Sequence, residues 1–215
     1  MTGINQGQVL HHGAPLSDAK AAVILVHGRG ATAAGIMGLA RMIDIGDEAT
    51  IAWLAPQAPS NTWYPLPFMQ PLKANEPHRS EALATIDGLI SSIIEAGVPA
   101  DRIGVIGFSQ GACLSLEHAL VGEHRAAFVG ALSGGVMGPD DEPRVAEGTR
   151  EGLRVFIGCG DRDAHIPIER AELSAALFAD TGAEVDYRRY HGMDHTINDD
   201  EVAALRDAVR ALASD

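Results

Sequence analysis

The feature that most constrains this chain is a recurring alternation between short, unbroken apolar runs and longer stretches of helical periodicity. The run Ala21–Val26 reads Ala-Ala-Val-Ile-Leu-Val and breaks at His27-Gly28-Arg29-Gly30. A strand that is apolar at every position must be covered on both faces, as a central strand of a parallel sheet is. Similar runs occupy 50–55, Ile103–Phe108, 127–132 and 153–158. A last run, Glu184–Tyr190, alternates more and carries Asp186, Arg188 and Arg189, so it is expected at a sheet edge with a wet face. Between these runs apolar residues recur at helical spacing over 33–45, 79–96, Gln110–Val121, 168–181 and 199–212. Such alternation requires an α/β architecture, a mostly parallel sheet with helices on both faces.

With 215 residues, 46% of them apolar, the chain can bury a sizeable core without disulfides, so one domain spanning 1–215 is expected. Its 16 Lys+Arg against 29 Asp+Glu give a formal charge of −13, which repels nucleic acid and anionic membrane surfaces. Met1 to Leu16 shows no basic cluster followed by a long apolar stretch, and no run approaches the roughly 20 apolar residues of a membrane span. A cytoplasmic protein without stable membrane insertion is expected. Cys113 and Cys159 both sit in apolar segments, as reduced core cysteines do.

The run Ile103–Phe108 leads straight into Gly107-Phe108-Ser109-Gln110-Gly111 and then into a helical pattern, the strand–turn–helix context that Gly-x-Ser-x-Gly requires. Glycines two before and two after the serine leave room for a sharp reversal that exposes its hydroxyl at a helix N-terminus. Ser109 is therefore the candidate nucleophile of an α/β-hydrolase fold. A serine hydroxyl needs a base, and the base needs a carboxylate, in the chain order Ser, acid, His. After the run 153–158 comes Cys159-Gly160-Asp161-Arg162-Asp163, with Asp163 preferred and Asp161 the rival. After Glu184–Tyr190 comes His191-Gly192-Met193-Asp194-His195, with His195 preferred as base and His191 read as making a structural hydrogen bond.

Acyl transfer also needs N–H donors for the oxyanion. The backbone of Gln110, directly after the nucleophile, and of Arg29, in the glycine turn after Ala21–Val26, are the candidates. His191, Asp194 and His195 lie in a glycine-containing loop rather than on one helical face, so no metal is expected. No Gly-x-Gly-x-x-Gly or Walker pattern occurs, so no cofactor is expected either. His11, His12, His78, His118 and His124 have no evident partner in the sequence. The longest stretch without periodicity, from Pro56 to Pro77, is rich in proline, and its Trp63, Phe68 and Met69 are candidate walls of an acyl pocket.

Together, His27-Gly28-Arg29-Gly30, Gly107-Phe108-Ser109-Gln110-Gly111, Asp163-Ala164-His165-Ile166-Pro167 and Gly192-Met193-Asp194-His195 resemble the phospholipase/carboxylesterase family, which includes acyl-protein thioesterases. The resemblance runs from about Ala21 to Leu212. It implies a triad of Ser109, Asp163 and His195, favours Asp163 over Asp161, and implies Arg29 and Gln110 as oxyanion donors. Arg29 stands where thioesterase members commonly carry an apolar residue, and Trp63-Tyr64-Pro65 replaces their Trp-Tyr-Asp. The chain is accordingly more similar to a bacterial carboxylesterase branch. It also overlaps the dienelactone hydrolases, which use a cysteine at the position of Ser109.

The expectation is a serine carboxylesterase for short- to medium-chain esters, with a small-molecule ester as partner and no large cap domain. A thioesterase or lactone hydrolase with the same triad is the alternative. A non-catalytic ligand-binding protein on the same fold is the rival from another class. A homodimer is compatible with the resemblance, since members of the family often pair.

Overall fold

The computed structural model describes residues 9–43, 50–142, 144–145 and 148–214. Seven strands form one sheet in the order β1-β3-β2-β4-β5-β6-β7. They are β1 (Val9–Gly13), β2 (Ala21–Val26), β3 (Ile51–Pro56), β4 (Ile103–Phe108), β5 (Phe128–Leu132), β6 (Arg154–Gly160) and β7 (Glu184–Tyr190). All neighbours pair in parallel except β1, which runs antiparallel to β3. The helices are α1 (Ala33–Ile36), α2 (Gly38–Ile43), α3 (His78–Glu95), α4 (Gln110–Val121), α5 (Ile168–Asp180) and α6 (Asp199–Ala213). This is the α/β-hydrolase architecture. No helix among the described residues is long and apolar enough to cross a membrane.

Each central strand divides its side chains between two cores because successive residues point to opposite faces. Ala22, Ile24 and Val26 of β2 pack with α3, α4 and α5, while Ala21, Val23 and Leu25 pack with α1, α2 and α6. All six residues of β2 are fully buried, which explains the unbroken apolar run. Burying one such Ile or Leu contributes about 1.5–3 kcal/mol, enough to fix which strands lie at the centre. β7 is an edge strand with half-buried positions, as its alternating sequence predicts.

The structure departs from the sequence reading in particular places. The helix expected over 33–45 breaks at Met37 into α1 and α2, where Gly35 and Gly38 weaken helical continuity; 44 and 45 lie outside the described residues. β1 has no counterpart in the sequence reading. Its Val-Leu-His-His-Gly is short and mostly exposed, so neither periodicity nor an apolar run marks it. The stretch from Pro56 to Pro77 contains two single-turn helices, Pro59–Asn61 and Leu72–Asn75. His118, which has no visible partner in the sequence, is buried on α4 and meets Asp87 Oδ1 of α3 at 2.9 Å.

Candidate active site

Ser109 stands between β4 and α4 with φ 56° and ψ −118°, a region that L-residues rarely occupy and that costs about 1–3 kcal/mol. The neighbours hold it there. Ser109 N–H donates to Leu132 O of β5 at 2.9 Å, and Ser109 O accepts the first bond of α4, from Cys113 N, at 3.0 Å. The flanking glycines are sterically required: a Cβ on Gly107 would lie 2.3 Å from Gly111 O, and one on Gly111 would lie 2.1 Å from Val26 O. The elbow and the end of β2 thus touch backbone to backbone.

His195 Nε2 lies 2.9 Å from Ser109 Oγ, and His195 Nδ1 lies 2.6 Å from Asp163 Oδ2. The Asp163 side chain is fully buried, and its Oδ1 accepts from the backbone N–H groups of His165 (2.8 Å) and Ile166 (3.0 Å). Burial works to raise its pKa, but the bonds from His195, His165 and Ile166 outweigh it and hold the carboxyl below the usual value. An ionised Asp163 can only accept, so Nδ1 of His195 carries the proton. Nε2 is then the free lone pair facing the serine hydroxyl.

The rival residues pair with one another. Asp161 Oδ2 lies 2.8 Å from His191 Nδ1, and Asp161 Oδ1 accepts from Gly192 N at 2.7 Å. The Gly192 N–H bond, followed by His191, lowers the pKa of Asp161. Asp161 N donates to Tyr190 O and Arg162 N to Met193 O, so the acid loop and the histidine loop are laced together by backbone bonds. Gly160 permits the approach, since a Cβ there would lie 2.0 Å from Met193 O. The Asp161–His191 pair is a latch outside the Ser109–His195–Asp163 chain.

Arg29 and Gln110 flank the serine. Gln110 opens α4, where the first N–H groups have no helical partner, and the Arg29 N–H bonds to no described residue. Both side chains grip the segment 62–66. Arg29 Nη1 donates to Thr62 Oγ1 (3.1 Å) and Pro65 O (2.9 Å), and its Nη2 to Leu66 O (3.0 Å). Gln110 Oε1 accepts from Trp63 N at 3.0 Å, and its Nε2 donates to Tyr64 O at 2.8 Å. His27 supports the same segment through its backbone O, which accepts from Trp63 Nε1, and its ring holds Ala58 just ahead of it. Its Nε2 accepts from Ala58 N at 3.1 Å, so the proton sits on Nδ1 and reaches Gly28 O at 2.8 Å. Desolvation lowers the pKa of His27, which fits that neutral form.

A cleft of about 640 Å³ opens over Ser109 and His195. Its walls include Gly28, Tyr64, Pro65, Pro67, Phe68, Phe108, His165 and Ile166. Of the pocket candidates, Phe68 lies at the cleft and the other two do not. Trp63 is buried, donating Nε1–H to His27 O at 2.8 Å, and Met69 packs against the core formed with α3 and α4. Asn75 escaped the sequence reading altogether. It is fully buried and accepts from Leu66 N at 2.9 Å, fixing the outer wall, but no local pattern distinguishes it from a solvated loop asparagine. His165 was visible in the motif but had no role; its ring meets that of His195 edge-on, centroids 4.7 Å apart.

The parallel sheet and the serine, histidine and aspartate at its carboxyl end define an α/β hydrolase. Residues 13–213 match the phospholipase/carboxylesterase family, and the chain belongs to that family. It is a hydrolase acting on ester bonds. A crystal structure of a phospholipase/carboxylesterase from Dyadobacter fermentans is similar, with TM-score 0.86 and 36% identity, covering 94% of this chain and 96% of that one. Acyl-protein thioesterase 1 of Yarrowia lipolytica is 26% identical over 201 residues, covering 86% of this chain and 88% of that protein. Acyl-protein thioesterase 2 of Zea mays shares the fold at TM-score 0.73 and 20% identity, covering 96% of this chain and 99% of that one.

Proposed function

We propose that the protein is a serine carboxylesterase for short- to medium-chain esters, working through an acyl-enzyme on Ser109. The observation that carries this reading is the unbroken chain Ser109 Oγ, His195 Nε2, His195 Nδ1, Asp163 Oδ2, with spacings of 2.9 and 2.6 Å. His195 takes the hydroxyl proton as Ser109 Oγ attacks the ester carbonyl, and the buried carboxylate of Asp163 stabilises the imidazolium that forms. The N–H groups of Arg29 and Gln110 receive the oxyanion, each contributing about 3 kcal/mol to transition-state stabilisation. Collapse expels the alcohol with the proton from His195. Water, activated by the same histidine, then releases the acid.

The moderate, open cleft supports a short or medium acyl group. A thioester reading is favoured by the relatives named acyl-protein thioesterases, and the same residues serve it without change. Hydrolysis of p-nitrophenyl esters from acetate to palmitate, beside the matching acyl thioesters, tests both. The expected result is turnover that peaks at short to medium chains with oxyesters preferred, and its loss in Ser109→Ala. A preference for thioesters selects the second reading. Absence of turnover on either series favours a binding protein.

A further inference from the structure

The protein carries a formal charge of −13, yet no aspartate or glutamate among the described residues lines the cleft above Ser109. Asp163, the acid nearest the chemistry, is fully buried and held by His195. Arg29 is the single lysine or arginine among the described lining residues. Its guanidinium is held in place by a hydroxyl and two carbonyl oxygens, those of Thr62, Pro65 and Leu66, and lies 5.8 Å from the centre of the Tyr64 ring. These neutral partners orient the positive charge without cancelling it, and no carboxylate among the described residues pairs with it. The N-terminus of α4 adds to the same sign, and the imidazole of His165 adds hydrogen-bonding capacity.

An oriented guanidinium with spare N–H groups matches a carboxylate in a bidentate pair, and a concave site of one sign concentrates ligands of the other. We propose that the cleft selects esters that carry a second, free carboxylate, and that Arg29 is the residue that selects them. The inference rests on the esterase reading and names its substrate class. With the Arg29 N–H serving as the proposed oxyanion donor, its side chain would meet a carboxylate a few bonds along the substrate from the scissile bond. The guanidinium is exposed, so the preference weakens as salt screens it.

The test compares mono-p-nitrophenyl adipate with p-nitrophenyl hexanoate, which share leaving group and chain length and differ by the terminal carboxylate. The wild type is expected to favour the adipate in kcat/KM at low salt, with the ratio shrinking as sodium chloride rises. In Arg29→Gln the adipate-to-hexanoate ratio falls at least tenfold, whatever the loss common to both esters, and Arg29→Lys keeps most of it. A wild-type ratio at or below one, independent of salt, overturns the proposal while leaving the esterase reading intact. An unchanged ratio in Arg29→Gln also overturns it and leaves Arg29 as a loop clamp. No hydrolysis of either ester by the wild type overturns both.

Discussion

The two sides of the cleft are built by different means. On the side of β4, β6 and β7, the elbow and the acid and histidine loops are fixed by backbone contacts that only glycine allows, at Gly107, Gly111 and Gly160. On the opposite side, the segment 62–68 is held mainly by side chains that reach across to it, from Arg29, Gln110 and Asn75, with one backbone bond from Gly138 N to Phe68 O. Backbone contacts cannot be altered in small steps, whereas side-chain ties can be exchanged one at a time. On the proposed esterase reading, the first side would hold the reacting atoms and the second would set which substrate they meet.

Changes that break this comparison begin with the elbow. Gly111→Ala places a Cβ 2.1 Å from Val26 O and is expected to cost on the order of 4 kcal/mol or more, with no measurable esterase activity. Thermal unfolding and a p-nitrophenyl ester assay read both; a stable, active variant would break the distinction. Next come the paired acids. Asp163→Asn leaves the geometry but removes the charge that fixes the His195 tautomer, so kcat should fall by about 10⁴. Asp161→Asn, which loosens the latch to His191 and Gly192 and the ion pair with Arg189 but leaves the Ser109–His195–Asp163 chain untouched, should retain most activity. Comparable losses in the two variants would remove the assignment of Asp163.

Beneath the histidine loop, Glu201 of α6 is fully buried and accepts from Asn198 N at 2.9 Å, while its Oε1 bonds to none of the described residues. Burial raises its pKa to about 7 from 4.5, against the opposing Asn198 bond. An acid raised on folding contributes most below its unfolded pKa, and that contribution is lost as pH climbs through the folded value. Wild-type stability should therefore fall between about pH 4.5 and 7 from this group, by on the order of 3 kcal/mol. Glu201→Gln should lack that fall, so chemical denaturation at pH 5 and pH 8 should show its advantage growing with pH; a constant difference would contradict the account. The smallest effect lies on the side-chain-built wall. Asn75→Ala strips the partner from Leu66 N–H, costing about 1–3 kcal/mol and raising KM more than it lowers kcat.

The same division governs what the sequence revealed. The central strands were legible because full burial on two faces leaves an unbroken apolar run, and Ser109 because its elbow demands glycines at fixed positions. Asp163 and Asp161 were harder to separate, since both follow one strand by a few residues; the family resemblance favours Asp163, and its distance to His195 tells the two apart in the structure. The wall was least legible. Trp63 looks like a pocket residue in sequence, but its indole N–H reaches His27 O and draws the ring into the interior. Asn75 and β1 gave no local signal: β1 is placed by pairing with a strand about 40 residues on, and Asn75 by bonds across an aperiodic loop that no spacing rule marks.

The central claim, that Ser109 is the nucleophile set by His195, is tested most directly by treating the folded protein with a fluorophosphonate and mapping the adduct by mass spectrometry. The account predicts one stoichiometric adduct on Ser109, slowed by orders of magnitude in His195→Ala and absent in Ser109→Ala. A folded wild type that stays unlabelled, or that is labelled equally well in Ser109→Ala, would contradict it.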